Sequence, residues 1–172
     1  MYQQIYIWMN SHFIVLSAVI LILLFVLEVL SAVFRKSVCL KWIYNLNAVV
    51  YFLALLFLAL GSRSRYDQPI LDLKLHLLRL EEIWQKDVWI LQGDVGNIIL
   101  FFPFGMISQK FLGRRIHWYG CAVIGGGFSI CIEILQYIFR CGYCDINDFL
   151  YNVIGVILGY CIGFRIQKVF VS

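Results

Sequence analysis

Five long apolar runs alternate with short polar segments along the chain. Each run has close to the ~20 residues that an α-helix needs to cross ~30 Å of hydrocarbon. Within lipid every backbone polar group must be bonded inside the segment, and helices of this length meet that condition. The pattern predicts an all-α membrane protein, a single membrane domain over residues 1–172 built as a bundle of about five transmembrane helices. The predicted spans are 12–34, 42–60, 95–112, 118–139 and 149–170.

The segment Gly61–Asp94 is the only sizeable polar stretch, and it separates spans two and three. Its apolar residues recur at steps of three and four, which is typical of an amphipathic helix. Such a helix would lie in the outer interface or pack as a lid over the bundle. The apolar face would carry Leu73, Leu77, Leu80, Trp84, Val88 and Leu91, and the polar face Asp72, Lys74, Arg79, Glu81, Glu82 and Lys86.

Composition narrows the class of protein further. The chain is 62% hydrophobic and 14% charged, whereas soluble domains have about 45–50% and 25%. These values exclude a conventional soluble enzyme, a secreted disulfide scaffold and a disordered tail. The net charge of +4 comes without a basic run, so no nucleic-acid partner is expected. The first run lacks a preceding positive region and is followed by Arg35 and Lys36, which favours a retained span over a signal peptide.

The basic residues predict the orientation in the membrane. Two connections and the carboxyl-terminal end, all on one side of a five-span protein, carry lysines and arginines without acids, and positive residues favour the cytoplasmic side. We therefore expect the protein in the cell membrane with its amino terminus outside and its carboxyl terminus in the cytoplasm. The residues concerned are Arg35, Lys36, Lys41, Lys110, Arg114, Arg115, Arg165 and Lys168.

The fourth span contains polar residues that the apolar excess should have excluded. Glu133, Gln136 and Arg140 are spaced by three and four residues, so they share one helical stripe. An ionisable group at the centre of a span costs roughly 2.5–3.5 kcal/mol on insertion scales. Glu133 therefore points to function, and pairing with Arg140, about 10 Å away along the axis, is its structural alternative.

The fifth span presents a polar end followed by a seam of small residues. Asp148 and Asn152 precede Gly155, Gly159 and Gly163 on the same face. Small residues at this spacing let two membrane helices approach closely. We expect the seam to pack against span four, whose Gly125–Gly127 would lie opposite it.

These placements predict a substrate-binding polar cluster near the outer leaflet. For Asp148 and Asn97 the alternative is helix capping, and Arg140 could snorkel to the interface. Glu133 and Asp148 are the candidates for a catalytic base. The predicted cluster consists of Asn97, Glu133, Gln136, Arg140, Asp145, Asp148 and Asn152.

The cysteines and histidines do not indicate a metal or cofactor. Cys141 and Cys144 form a single C-x-x-C on the predicted outer turn, where a disulfide or free thiols are both compatible with the sequence. One such pair without a second pair or a histidine partner is weak evidence for zinc. The three histidines are scattered, so we expect neither a metal site nor a cofactor.

Three blocks of the chain together resemble the VanZ family. They read N-I-I-L-F-F-P-F-G from Asn97, E-I-L-Q from Glu133 and D-I-N-D-F-L-Y-N-V-I-G-V-I-L-G from Asp145, and they cover about the last 80 residues. In the family a basic residue stands close before the first Asp, whereas here Cys-Gly-Tyr-Cys separates Arg140 from Asp145. The motif residues by position are Asn97, Pro103, Gly105, Glu133, Gln136, Asp145, Asp148, Asn152 and Gly155.

The resemblance implies a protein that spans the membrane of the bacterial envelope several times. The founding member of the VanZ family is associated with low-level resistance to the glycopeptide teicoplanin. Three hypotheses follow. The outer cluster binds membrane lipid, a lipid-linked envelope precursor or a lipoglycopeptide antibiotic. Alternatively, the protein is an intramembrane transferase or hydrolase acting on such a precursor. In the third, it is a structural partner that binds another membrane protein through its glycine seam. A transporter is disfavoured because the polar residues collect at one face rather than at the midplane.

Overall fold

The computed structural model of the chain describes residues 38–61, 67–73, 88–112, 116–141 and 143–171, and five helical positions between 19 and 30. Apart from those positions, the first predicted span lies outside the described residues. The chain divides into two compact units, residues 1–51 and 52–172. A single membrane domain stays a prediction.

Four helices of the described chain are long and apolar enough to cross a membrane. Their apolar windows are Trp42–Leu60, Val95–Leu112, Trp118–Phe139 and Ile146–Lys168. Spans two to five of the sequence analysis are thereby confirmed as helices. The elements are α1 (Val38–Leu56) with a π-helical end (Phe57–Gly61), α2 (Val88–Leu112), α3 (Trp118–Phe139) and α4 (Ile146–Val171).

The four helices confirm a mainly α-helical fold, and two short strands accompany them in the described part of the chain. β1 (Ile70–Asp72) pairs in parallel with β2 (Tyr143–Asp145), and Asp72 stands opposite Asp145. β1 begins directly after Pro69, a residue that disfavours helix before it and cannot donate a backbone hydrogen bond.

The amphipathic helix predicted between spans two and three lies within the described residues only at its two ends, and its first residue, Asp72, is not helical. Asp72, assigned to its polar face, belongs to β1, where pairing with β2 satisfies the backbone. Val88 and Leu91, assigned to its apolar face, belong to the first turns of α2. Residues 74–87 lie outside the described part of the chain.

The glycine seam of α4 packs against α2, and not against span four as predicted. Gly155, Gly159 and Gly163 lie next to Ile98, Phe102 and Met106 respectively. Residue numbers rise together in both helices, so α2 and α4 run parallel. The glycine spacing predicts close helix packing, but it does not specify which of the two neighbouring helices the seam contacts.

Backbone meets backbone along this seam. A Cβ atom added at Gly159 would overlap the carbonyl oxygen of Phe102, and one at Gly105 would overlap the carbonyl oxygen of Val156. Gly155 has the same relation to Ile98. Such approach brings Cα–H groups against carbonyl oxygens, a recurring contact between helices. These glycines are needed because no other residue leaves the space empty.

The third helix runs antiparallel to α4 and contacts it through side chains. Gly125 of α3 faces the side chain of Val156, and Gly126 faces Val153 and Phe149. One turn further along α3, Ser129 is bonded to Asn152. Numbers fall on one helix as they rise on the other, as an antiparallel pair requires.

An aromatic cluster joins the end of α1 to α2 and α3. The ring centroid of Phe52 lies 5.4 Å from that of Phe104 and 5.9 Å from that of Phe128, both edge-on. Phe104 and Phe128 are 5.5 Å apart. Edge-to-face pairs at these distances add about 0.5–1.5 kcal/mol to the burial of the rings.

The surface of the helices is apolar as well. Val123 on α3, for example, is 74% exposed, which suits contact with lipid.

Candidate functional site

Six of the eight buried polar residues in the described part of the chain lie toward one end of the bundle, and the other two, Ser108 and Gln109, lie on the second half of α2. The π-helical end of α1, the start of α2, the end of α3 and the start of α4 meet there, and we call this region the polar end. Each of its buried polar residues is at most 7% exposed, although most surrounding helix surface is apolar. The set comprises Asn97, Ser129, Glu133, Gln136, Asn147 and Asn152.

Glu133 occupies the centre of this set on α3. Its side chain is 5% exposed, and its Oε2 accepts a hydrogen bond of 3.0 Å from the backbone N–H of Asp145. A buried carboxylate needs such donors, because burying an unpaired charge is costly. Glu133 therefore fixes β2 and the beginning of α4 against the end of α3.

Asp145 caps α4. Its Oδ1 accepts hydrogen bonds from the backbone N–H of Asn147 at 2.8 Å and from Asn147 Nδ2 at 2.7 Å. A side-chain oxygen bonded to the second helical N–H is the normal geometry of an N-cap. The capping role considered for Asp148 belongs to Asp145, whereas Asp148 lies in the first turn of the helix.

Gln136 links α3 to the π-helical end of α1. Its Nε2 donates to the carbonyl oxygen of Ala59 at 2.9 Å. Carbonyls in the last turn of a helix lack a partner within the helix, so this bond satisfies one of them. The side chain is 1% exposed, and its Oε1 is buried without a hydrogen-bond partner.

Asn152 plays the corresponding part on α4. Its Nδ2 donates to Ser129 Oγ at 2.8 Å, and its own Oδ1 is buried without a partner. Leaving a buried acceptor unsatisfied costs about 1–3 kcal/mol. The polar end thus holds two amide oxygens, from Gln136 and Asn152, that retain unused capacity to accept hydrogen bonds.

Arg140 terminates α3 in a strained conformation. It adopts the left-handed region with φ of 56°, where a residue other than glycine costs about 1–2 kcal/mol. Its N–H bonds to the carbonyl of Tyr137 at 3.3 Å, and the N–H of Cys141 bonds to Gln136 at 3.0 Å. This pair of bonds is the Schellman motif, which usually has glycine at this position.

The guanidinium of Arg140 reaches a different segment from the one predicted. It is exposed, and its Nη1 donates to the carbonyl oxygen of Asp67 at 2.9 Å. Residues 67–73, which we call the strap, are thus attached at one end by Arg140 and along β1 by pairing with β2. The strap lies beside the residues that bond to Glu133.

Two further predicted residues, Asn97 and Pro103, lie on α2, and Asn97 belongs to the polar end. Asn97 is buried on α2 and precedes Ile98, which contacts Gly155. Pro103 is buried in the middle of α2, next to the closest approach of Phe102 and Gly159. Pro103 removes one backbone donor, which the bundle interior tolerates better than lipid would.

Two residues of the site were missed from the sequence. Ser129 is fully buried and bonded to Asn152. It stands four residues before Glu133, so the helical stripe used to group Glu133 with Gln136 would have included it. Asn147 is 1% exposed; its signal was its position two residues after the capping Asp145.

The cysteines at this end are free thiols in the structure. Cys141 is buried and Cys144 half-buried. Burial raises the pKa of the Cys144 thiol, and the nearby charges of Glu133 and Asp145 raise it further. The thiol is therefore protonated at neutral pH, when it is a poor nucleophile. Among the residues with described positions, no three His, Cys, Asp or Glu side chains are grouped as a metal site.

Comparison with known families extends beyond the three blocks. A sequence model described as VanZ/LLP1 matches residues 13–167, which is most of the chain. No curated protein and no solved structure matches the chain.

Proposed function

Because the chain belongs to the VanZ/LLP1 family, we propose that this membrane protein acts in the bacterial cell envelope by binding a lipid-linked headgroup or a lipoglycopeptide at the polar end. The observation that carries the proposal is the burial of Glu133, Gln136 and Asn152 together at one end of an apolar bundle. Burying polar groups destabilises a bundle unless they are bonded. A ligand for the two unpartnered amide oxygens would supply the missing bonds.

The charges support an outward-facing polar end. Lys110, Arg165 and Lys168 belong to the opposite ends of α2 and α4, which run parallel. Basic residues favour the cytoplasmic side. We propose that the polar end faces outward, with the amino terminus outside and the carboxyl terminus in the cytoplasm. A reporter enzyme that is active only in the cytoplasm should then be active when it is fused after Lys168.

An outer site of this kind suits ligands that are themselves anchored in the membrane. A lipid-linked precursor or an acylated glycopeptide presents its polar group at the bilayer surface, close to where the helices of the polar end begin and end. The protein would lower susceptibility to teicoplanin-type drugs by holding either the drug or the precursor that the drug attacks.

The test compares teicoplanin susceptibility for the wild type, Glu133→Gln and Gly127→Ala at equal membrane abundance. Glu133→Gln is nearly isosteric and keeps an oxygen for the Asp145 N–H, so the fold should persist while resistance falls. Gly127 is a matched control, because nothing lies within 4 Å of an added Cβ. Unchanged resistance in Glu133→Gln would rule out a role for this site.

The enzyme hypothesis makes a separate prediction for the same carboxylate. Glu133 is a buried carboxylate of the polar end, and a carboxylate within hydrogen-bonding distance of a substrate proton can serve as a general base. A transferase or hydrolase would change the mass of a lipid-linked precursor incubated with the purified protein. A binding protein would leave that mass unchanged.

A further inference from the structure

We propose that the end of α4 farthest from the polar end binds an anionic phospholipid, with the phosphate between Arg165 and Lys168 and the acyl chains along the exposed face of the same helix. The site belongs to what we call the basic end, which comprises the last turn of α2, the first turn of α3 and the last turns of α4. It goes beyond the proposed function, because it shares no residue with the polar end.

Arg165 and Lys168 lie on sides of α4 that face away from α2. The side toward α2 is identified by Gly163, which packs against that helix, and by Gln167, which accepts a hydrogen bond of 3.2 Å from Gln109. With 3.6 residues per turn, Arg165 stands about 160° around the helix from both Gly163 and Gln167. Arg165 and Lys168 are exposed. They are therefore open to the surroundings of the bundle.

The described residues of the basic end include lysine and arginine but no acid. Neither the Arg165 nor the Lys168 side chain makes a hydrogen bond or an ion pair within the described part of the chain. The connection 113–115 lies outside that part, and its sequence Gly-Arg-Arg adds positive charge and no carboxylate. The described residues without Asp or Glu are 104–112, 116–125 and 156–171.

The spacing of the two basic residues suits a shared anion. Residues three apart on a helix are neighbours on its surface, and like charges at such spacing destabilise the helix. A phosphate between Arg165 and Lys168 replaces this repulsion with two attractions. Arg165 can also bond to two phosphate oxygens at once. The pair therefore favours an anion over water.

Aromatic residues indicate that the basic end lies at the level of the lipid headgroups. Trp118 and Tyr119 at the start of α3 are 52% and 57% exposed, and Trp and Tyr are enriched at membrane interfaces. The hydroxyl of Tyr160 donates to the carbonyl of Ile116 at 3.0 Å, so the start of α3 is level with Tyr160. The two basic residues lie about 7 and 12 Å farther along α4, which is the side on which phosphates are found.

An apolar stripe of α4 leads from the bundle to the two basic residues. Its members recur at steps of four and three, so they share one face of the helix. Acyl chains can lie along this face while the headgroup reaches the basic residues, whereas a soluble phosphate gains only the contact of charges. The ligand is therefore a lipid. The exposed residues of this face are Ile154, Leu158, Cys161, Arg165 and Lys168.

The charges also select the headgroup. Anionic lipids attract Lys and Arg at the membrane surface. A phosphocholine headgroup carries a cation beside its phosphate, and that cation meets repulsion from Arg165 and Lys168. The site therefore favours a headgroup in which the phosphate is the only charge, such as phosphoglycerol.

The test measures thermal stabilisation of the purified full-length protein in a nonionic detergent. The probes are phosphoglycerol and phosphocholine lipids with identical acyl chains. We expect the phosphoglycerol lipid to raise Tm at concentrations where the phosphocholine lipid does not, since binding to the native state alone stabilises it. The effect should weaken at high salt, because exposed charges are screened. Equal stabilisation by the two lipids would overturn the proposal.

Free glycerol phosphate separates a lipid from a soluble anion. It carries the headgroup without acyl chains, so it should leave Tm unchanged at the concentrations where the phosphoglycerol lipid acts. Equal stabilisation by glycerol phosphate would mean that the apolar stripe contributes nothing, and the assignment of a lipid would be wrong.

Substitutions at the two exposed basic residues test the site itself. Arg165→Gln and Lys168→Gln should each lower affinity for the phosphoglycerol lipid about fivefold, the effect of one basic residue at an anionic surface. Exchanging the two residues, Arg165→Lys together with Lys168→Arg, keeps both charges and should keep the preference. Unchanged affinity in the double glutamine variant would contradict the proposal, as would an equal loss in the exchanged variant.

The matched comparison is Arg140→Gln, which removes the same charge from an exposed arginine at the polar end. The phosphoglycerol preference should persist in this variant. If Arg140→Gln abolished the preference while the double glutamine variant kept it, the lipid would bind at the polar end and the present inference would be wrong. The proposed function would be untouched by that result, since the Glu133→Gln comparison of resistance tests it separately.

Discussion

The two contacts made by α4 are built on opposite principles. Toward α2, α4 presents Gly155, Gly159 and Gly163, and the two backbones touch. Toward α3 it presents Asn152 and the large side chain of Val156, and contact is made by side chains. The first contact depends mainly on the missing side chains of the glycines, and a hydrogen bond of 3.2 Å from Gln109 to Gln167 joins the same two helices at the other end. The second contact depends on side-chain packing and on the hydrogen bond from Asn152 to Ser129.

This difference separates assembly from chemistry. The hydrophobic effect does not favour the association of helices that already lie in lipid. Close packing and interhelical hydrogen bonds therefore stabilise the bundle. The α2 contact supplies the packing. The α3 contact supplies the hydrogen bond between Asn152 and Ser129 and leaves the Oδ1 atom of Asn152 buried without a hydrogen-bond partner. The glycine seam already packs against α2 of the same chain. Docking of another membrane protein on that seam stays a prediction.

Alanine substitution along the seam should have the largest effect and should follow a definite order. Gly159→Ala and Gly105→Ala place a methyl group into a backbone carbonyl, so the helices must separate, at a cost of about 2–3 kcal/mol or more. Gly163→Ala meets Met106 Cα at 3.3 Å and requires a shift of only a few tenths of an ångström. Membrane abundance and Tm should fall most for the first two variants.

Gly127→Ala is the matched control for this series, since it adds the same methyl group to open space on α3. If Gly127→Ala lowered Tm as much as Gly159→Ala, helix propensity or lipid contact would account for the effect. The contrast between the two faces of α4 would then lose its steric basis.

A hydrogen-bond deletion on the other face should have an intermediate effect. Ser129→Ala leaves Asn152 Nδ2 buried without its acceptor, and an unsatisfied buried group costs about 1–3 kcal/mol. Adding Asn152→Leu removes the orphaned amide, so the double variant should recover part of the lost stability. Denaturation of all four proteins in one detergent gives the coupling energy.

Additive effects of the two substitutions would mean that the hydrogen bond does not stabilise the α3 contact. A loss in the single variant that exceeds the loss for Gly159→Ala would reverse the order of the two faces.

The sequence predicts the parts of this fold that depend on local composition. The span 118–139 coincides with α3, because a run of apolar residues is itself the condition for crossing lipid. The prediction that the glycine seam packs against span four is wrong. The GxxxG spacing identifies a surface suited to close packing, but it does not indicate which helix packs against that surface. The apolar run predicts the start of α4 at 149, which puts Asp148 at the capping position, whereas the helix begins at Ile146 and Asp145 caps it.

The candidate site was predicted in outline for a similar reason. Helical spacing was enough to group Glu133 with Gln136, and both are buried at the polar end. Arg140 shares their stripe but lies beyond the last turn of α3, where the backbone changes direction and its guanidinium reaches Asp67. The strap depends on pairing between residues about 70 positions apart, and no local pattern contains that information.

The smallest predicted effect tests the electrostatics of the α3 face through Cys144. Burial is the main cause of the raised pKa of this thiol, and the negative charge of Glu133 is the next. Glu133→Gln removes that charge, so the thiolate should form at lower pH while the pKa stays above its ordinary value. Alkylation of Cys144, followed by mass spectrometry from pH 7 to pH 10, should show a midpoint moved toward lower pH and a faster reaction at pH 8. Because Gly127→Ala leaves both the charge and the packing unchanged, its profile should coincide with the wild type. A midpoint that stays the same or rises in Glu133→Gln would mean that the charge of Glu133 does not raise the pKa of Cys144.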